Sequence, residues 1–125
     1  MALYHLLSIG ADPSVLATRS DVLKQAGYLV STASSETSAR QILGQGGFDL
    51  VVVCHSLPTS DRHKIMQAVR ASEHTPKIVS IARSPEPESA ADATVHSLDG
   101  PDRLLQCIAE VLGEGTTRIA RLEPR

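Results

Sequence analysis

The chain has 125 residues, 42% of them hydrophobic, which fits one folded domain with a packed core. Its net charge of -2 offers no basic surface for nucleic acid or an anionic membrane, and its 2% aromatic content cannot supply stacking platforms. Two cysteines are too few for a disulfide framework or a four-ligand zinc site. No apolar run reaches membrane length, and the first ten residues lack the features of a signal peptide. We therefore expect a cytoplasmic protein with neither nucleic-acid nor membrane partners.

The first part of the chain predicts a strand, a helix and a second strand. Residues 3–9 form an apolar run of strand length. Asp12 is typical of a helix cap and Pro13 of a first helical turn. Gly27 is expected to end this helix before a second strand at residues 28–32.

The middle of the chain repeats the pattern and contains its clearest strand. A second helix is expected to begin near Ser34 or Ser35 and to end in a glycine-rich turn. Residues 48–54 form an almost unbroken apolar run, which indicates a central strand covered by helices on both faces. We expect Ser60 to cap the third helix.

The last part of the chain predicts two more strands and a closing helix. Residues 77–82 and 94–96 read as the fourth and fifth strands, and residues 101–112 as an amphipathic helix. Two prolines interrupt the segment between these strands, so we expect a shortened fourth helix there.

Strands that alternate with helices indicate parallel βα units, and therefore one α/β domain with a five-stranded parallel sheet. We assign residues 1–113 to this domain. Residues 114–125 are polar and are predicted to form a flexible C-terminal tail.

Four local segments, together with the order of the elements, resemble the response-regulator receiver family over roughly residues 3–112. The segments are residues 11–14 (ADPS), 46–53 (GGFDLVVV), 57–58 (LP) and 75–79 (TPKIV). The resemblance implies a flavodoxin-like three-layer sandwich with strand order 2-1-3-4-5. Its pocket would lie at the carboxyl ends of the strands.

The resemblance also implies a phosphorylation site, and this sequence departs from the family's pattern there. In the family an acidic pair after the first strand helps to bind Mg²⁺, and an aspartate at the end of the third strand accepts the phosphoryl group. The acidic pair falls on Gly10 and Ala11, and the acceptor falls on Cys54. The one acidic residue that remains after the first strand is Asp12, at the position of a helix cap. The family's hydroxyl and lysine positions fall on Ile81 and Ser97.

We therefore expect no phosphotransfer, no enzymatic activity, and no metal or cofactor. The resemblance implies a stand-alone pseudo-receiver of the two-component signal-transduction class that acts by protein–protein interaction without phosphorylation. Its expected partners are a histidine kinase, another receiver, or a second copy of itself in a homodimer. The first-helix side and the side formed by the family's fourth and fifth helices are the candidate surfaces.

Two alternatives stay open. Cys54 could act as a thiol switch, or could be a small buried hydrophobe, as we expect for Cys107. The emptied pocket between Gly10, Ala11, Cys54 and Ile81 could bind a small ligand.

Three further readings of the sequence are less favoured. A metal site would need the fold to gather Cys54, His55 and His96. Asp49 lies at the wrong end of its strand to replace the acceptor, and Asp61 reads as a helix-start charge.

Overall fold

A computed structural model describes residues 4–72, 75–83 and 91–113. The elements of these residues, in chain order, are β1 (His5–Ile9), α1 (Pro13–Gln25), β2 (Leu29–Ala33), α2 (Glu36–Leu43), β3 (Leu50–Cys54), α3 (Thr59–Ala71), β4 (Lys77–Ala82), β5 (Ala93–His96) and α4 (Pro101–Leu112). In this part of the chain no helix is both long enough and apolar enough to cross a membrane.

The five strands form one sheet in the order β2-β1-β3-β4-β5, and every neighbouring pair is parallel. The predicted α/β fold and strand order are confirmed. The register places Cys54, the last residue of β3, opposite Ile81 on β4. Because parallel strands end at the same edge of a sheet, the residues after β1, β3, β4 and β5 meet there.

Two hydrophobic clusters cover the two faces of the sheet. Successive side chains of a strand point to opposite faces, so Val51 joins one cluster and Val52 the other. Ile65 of α3 packs in the first cluster, and Ile108 of α4 in the second. All five residues of β3 are buried, as expected for a central strand with helices on both sides.

The first two helix starts agree with the sequence, and the third does not. Asp12 Oδ1 accepts hydrogen bonds from the backbone N–H groups of Ser14 and Val15 at 3.0 and 3.3 Å. Ser35, rather than Ser34, caps α2. The prediction that Ser60 caps α3 is wrong, because α3 begins at Thr59, directly after Pro58.

The physical reason is the turn before α3. The Leu57 N–H donates to the Cys54 carbonyl at 3.2 Å, which turns the chain immediately after β3. Pro58 then occupies the cap position with extended backbone, φ -57° and ψ 148°, and no side chain caps the helix. Ser60 therefore already lies within the first turn of α3.

Strand limits differ from the predictions by one or two residues. The third strand begins at Leu50 instead of residue 48, and just before it the Asp49 carboxylate accepts the His5 N–H at 2.9 Å. The second strand is displaced by one residue, and the fifth begins one residue early.

The shortened fourth helix was predicted mainly for residues 84–90, which lie outside the described residues, as do residue 3 and the predicted tail, 114–125. The described residues 83, 91 and 92 are not helical. The division of the chain at residue 113 stays a prediction.

Candidate functional site

The residues predicted to form a pocket follow the carboxyl ends of the strands, and the structure brings three of them together. Gly10 follows β1, Cys54 ends β3, and Ile81 lies opposite Cys54 on β4. Asp12 is exposed and caps α1. Ser97 follows β5, where its N–H donates to the Ala82 carbonyl at 2.8 Å.

Gly10 lies close to its neighbours at the end of the sheet. A Cβ atom at this position would lie 3.3 Å from Cys54 Cβ and 3.4 Å from Ser56 Oγ, which is a tight approach. Ser56 Oγ also accepts the Ala11 N–H at 2.9 Å and so ties the turn after β3 to the end of β1. A side chain at residue 10 would therefore require Cys54 or Ser56 to shift by a few tenths of an ångström.

Cys54 is buried, with 1% of its surface exposed, in a polar environment. Burial raises the pKa of its thiol, but hydrogen bonding to Ser56 and the nearby Arg19 guanidinium more than offset this, so the pKa lies below its usual value. The Cys54 thiol therefore loses its proton more readily than a cysteine thiol in an apolar core does. Cys107 contrasts with it, because burial among α4 side chains raises the pKa of that thiol.

Arg19 is the residue of this region that the sequence reasoning missed. It lies on α1 three residues after Leu16 and four before Leu23, both buried, so its position shares their face of the helix. That spacing was the available signal, since a long basic side chain on a buried stripe must find a polar destination. Its guanidinium lies near the Cys54 thiol.

Positive charge also surrounds His55. Burial lowers the pKa of the His55 imidazole, and the guanidinium groups of Arg83, Arg19 and Arg62 lower it further. The neutral imidazole is therefore favoured. Guanidinium groups beside Cys54 and His55 disfavour a divalent cation, which prefers carboxylate oxygens as ligands.

The other candidate residues lie elsewhere. His96 Nδ1 accepts the Leu98 N–H at 3.1 Å in the turn after β5. The described residues contain no group of three His, Cys, Asp or Glu side chains that could hold a metal ion. Cys107 is buried in the core as predicted, and Asp49 and Asp61 lie before β3 and in the first turn of α3, also as predicted.

An apolar groove opens beside this edge, between α1, β5 and the start of α4. Its volume is about 360 Å³, and its lining includes Ile81, Ser97 and Arg19. Two large apolar side chains of this region are exposed: Val15, with 41% of its surface exposed, and Leu98, with 86%. Val15 lines the groove, and Leu98 lies between the lining residues Ser97 and Gly100.

The fold is shared with solved receiver domains. The Vibrio cholerae chemotaxis protein CheY4 is 22% identical, with a TM-score of 0.79 over 88% of this chain and 99% of that chain. A CheY-like receiver domain protein from Methanospirillum hungatei is 20% identical, with a TM-score of 0.80 over 94% and 99%.

The receiver domain of the sensor histidine kinase PA1611 from Pseudomonas aeruginosa, solved with magnesium in its active-site cleft, is 15% identical. Its TM-score is 0.78 over 90% of this chain and 99% of that chain. No protein-family model and no curated protein matches the sequence. The chain therefore has the CheY-like receiver fold, and its function must be argued from its own residues.

Proposed function

We propose that this chain is a pseudo-receiver of the two-component signalling class, which binds a protein partner without being phosphorylated. The observation that carries the proposal is the chemistry at the carboxyl edge of the sheet. Cys54 ends β3, Gly10 and Ala11 follow β1, and none of the three side chains carries a carboxylate. A thiol beside a guanidinium provides neither an aspartyl acceptor nor oxygen ligands for Mg²⁺.

The docking surface in this proposal is the first-helix side. Val15 lines the groove and Leu98 follows its lining residue Ser97; both are large exposed apolar side chains, and such residues commonly anchor protein interfaces. The partner we favour is a histidine kinase, because an amphipathic helix of its dimerisation domain could place apolar side chains against Val15 and Leu98. Another receiver or a second copy of the chain remain the alternative partners.

The test of phosphorylation is incubation with Mg²⁺ and acetyl phosphate, followed by intact mass and thermal melting. We expect no added phosphoryl mass and no Mg²⁺-dependent stabilisation. An ion that does not bind the folded protein cannot raise its melting temperature. A phosphorylatable receiver treated in parallel shows that the donor is active. A stoichiometric adduct that is labile to base would overturn the proposal.

The test of docking uses purified dimerisation domains of histidine kinases from the same organism. We expect saturable binding by at least one of them, weakened about tenfold by Leu98→Ser, in line with the loss of an interface anchor. Leu29→Ser is the matched control, because Leu29 is also an exposed leucine but lies on the edge strand β2. Equal weakening by both substitutions, or binding to none of the domains, would count against this surface.

A second candidate function is a thiol switch at Cys54, favoured by its lowered pKa. If this holds, iodoacetamide at neutral pH should modify Cys54 faster than Cys107, because only the thiolate reacts and the two pKa values are displaced in opposite directions. Mass mapping of Cys54→Ala and Cys107→Ala variants assigns the modified residue. Slow modification of both in the folded protein would show that the 1% exposure of Cys54 prevents the reaction.

A further inference from the structure

The groove beside α1 has the size and lining of a small-molecule site. Its volume of about 360 Å³ lies within the range of ligand pockets. Apolar side chains from four elements form most of its wall: Val22 from α1, Ile81 from β4, Val95 from β5, and Pro101 and Leu104 from α4. The groove also lies at the carboxyl edge of a parallel sheet, where α/β proteins commonly bind ligands.

One charged group lines this apolar groove, and no carboxylate among the described residues pairs with it. The Arg19 guanidinium interacts with the Cys54 thiol, but its Nη1 is fully buried without a hydrogen-bond partner in the described part of the chain. A buried guanidinium nitrogen that donates to nothing is energetically costly. An anionic ligand that enters the groove would give this nitrogen an acceptor.

The remaining polar groups of the groove are compatible with an anion. Ser14 and Ser97 contribute hydroxyl groups and His96 contributes an imidazole, while the Thr18 hydroxyl already donates to the Ser14 carbonyl at 3.0 Å. None of the described residues that line the groove is acidic. The charge on Arg19 is therefore opposed by no carboxylate inside the groove.

We propose that this groove binds a small aliphatic carboxylate, with its carboxylate on Arg19 and its hydrocarbon chain against Val22 and Leu104. A guanidinium pairs well with a carboxylate, and the apolar walls select a ligand with a hydrocarbon body over an inorganic anion. The proposal concerns the isolated chain and does not depend on protein docking or on phosphorylation.

Isothermal titration calorimetry with hexanoate tests the ligand class. We expect one hexanoate per chain, and binding at least about tenfold weaker for hexanol, acetate and inorganic phosphate, because each lacks either the charge or the hydrocarbon chain. No heat with hexanoate would overturn the proposal. Equal affinity for phosphate or hexanol would also overturn it, by showing a site for anions or for hydrocarbon alone.

Substitution of Arg19 tests the residue. Arg19→Gln should weaken hexanoate binding at least about tenfold, the loss expected for a charge-assisted hydrogen bond. Arg103→Gln is the matched control, because Arg103 is half-exposed on α4 and does not line the groove. Leu98 does not itself line the groove, so Leu98→Ser should leave hexanoate binding unchanged, which separates this proposal from the docking proposal. Equal loss in Arg19→Gln and Arg103→Gln would contradict the assignment.

Chemical-shift mapping on the unmodified protein keeps the proposal testable if Arg19→Gln does not fold. Hexanoate should shift the amide resonances of Thr18, Val95 and Ser97 and leave those of Ser31 and Gly46, at the far side of the sheet, in place. Shifts confined to residues outside the groove would overturn the proposal.

Discussion

At the scale of single residues, sequence reasoning predicted which residues meet at the carboxyl edge of the sheet, but not their electrostatics or the position of the groove, which of Gly10, Cys54 and Ile81 only Ile81 lines. Gly10, Cys54 and Ile81 were predicted to meet, and the structure places them together. The proximity of Arg19 to Cys54 was not predicted, because it depends on the rotation of α1 against the sheet. The family assignment of each position, including Ser97, stays a prediction.

His55 makes the stability of the protein sensitive to pH. Its pKa in the folded state is lowered by burial and by Arg83, Arg19 and Arg62, so the unfolded chain binds more protons between the two pKa values. Stability is retained above the unfolded pKa, about 6.5, and falls as the pH drops below it. Urea unfolding at about pH 7 and pH 5 should therefore show a smaller loss of stability for His55→Gln than for the unmodified protein.

His63→Gln is the matched control for this prediction. His63 is exposed on α3, so comparing the two variants separates an effect of position 55 from the loss of any histidine. An identical loss of stability on acidification in the unmodified protein and both variants would show that His55 does not contribute.

At the scale of secondary-structure elements, the type and order of the elements followed from the apolar periodicity, and their exact ends followed from single hydrogen bonds. Asp12 has a side chain that identifies it as a cap. The start of α3 was mispredicted because a turn and a proline, rather than a capping hydroxyl, set it. Sequence patterns therefore predict the type and order of the elements, but only some of their exact ends.

The Asp12 cap should contribute measurably to stability. Asp12→Ala leaves the Ser14 and Val15 N–H groups without their side-chain acceptor, and we expect a loss of about 1 kcal/mol in the free energy of unfolding. Asp21→Ala removes the same charge from an exposed position of α1 and is the control. Urea denaturation of the two variants should differ, and equal effects would attribute the loss to charge alone.

Asp92 extends the sheet beyond the start of β5. Its Oδ2 accepts the Ile78 N–H at 2.7 Å and a hydrogen bond from Arg70 at 3.2 Å. Asp92→Ala leaves a buried amide without this acceptor, so we expect a loss of about 1–3 kcal/mol in the free energy of unfolding. Urea denaturation measures it, and Asp92→Asn, which retains an oxygen acceptor, should lose less. Equal losses would mean that the Ile78 bond is not the stabilising contact.

At the scale of the whole molecule, the sheet divides the apolar interior into two layers. The alternation of strands and helices predicted this three-layer arrangement and the strand order, which the structure confirms. The groove beside α1 could not be predicted, because its volume depends on how α1 and α4 pack against β5. Packing geometry of that kind is not encoded in local patterns.

The two layers should respond independently to small cavities. Ile65→Val and Ile108→Val remove one methylene from opposite sides of the sheet, and each should cost about 1 kcal/mol. The double substitution should equal the sum of the two within about 0.5 kcal/mol, as for residues that share no contacts. Urea denaturation of the three variants tests this, and a larger coupling would show that the sheet transmits strain between its faces.

The close approach at Gly10 makes the two ends of this contact unequal in their tolerance of substitution. A Cβ at residue 10 would lie 3.3 Å from Cys54 Cβ and 3.4 Å from Ser56 Oγ, so a side chain there requires these neighbours to shift by a few tenths of an ångström. A carboxylate at position 54, in contrast, would lie near the Arg19 guanidinium, which favours its charged form. An acidic residue is therefore more easily accommodated at position 54 than at position 10.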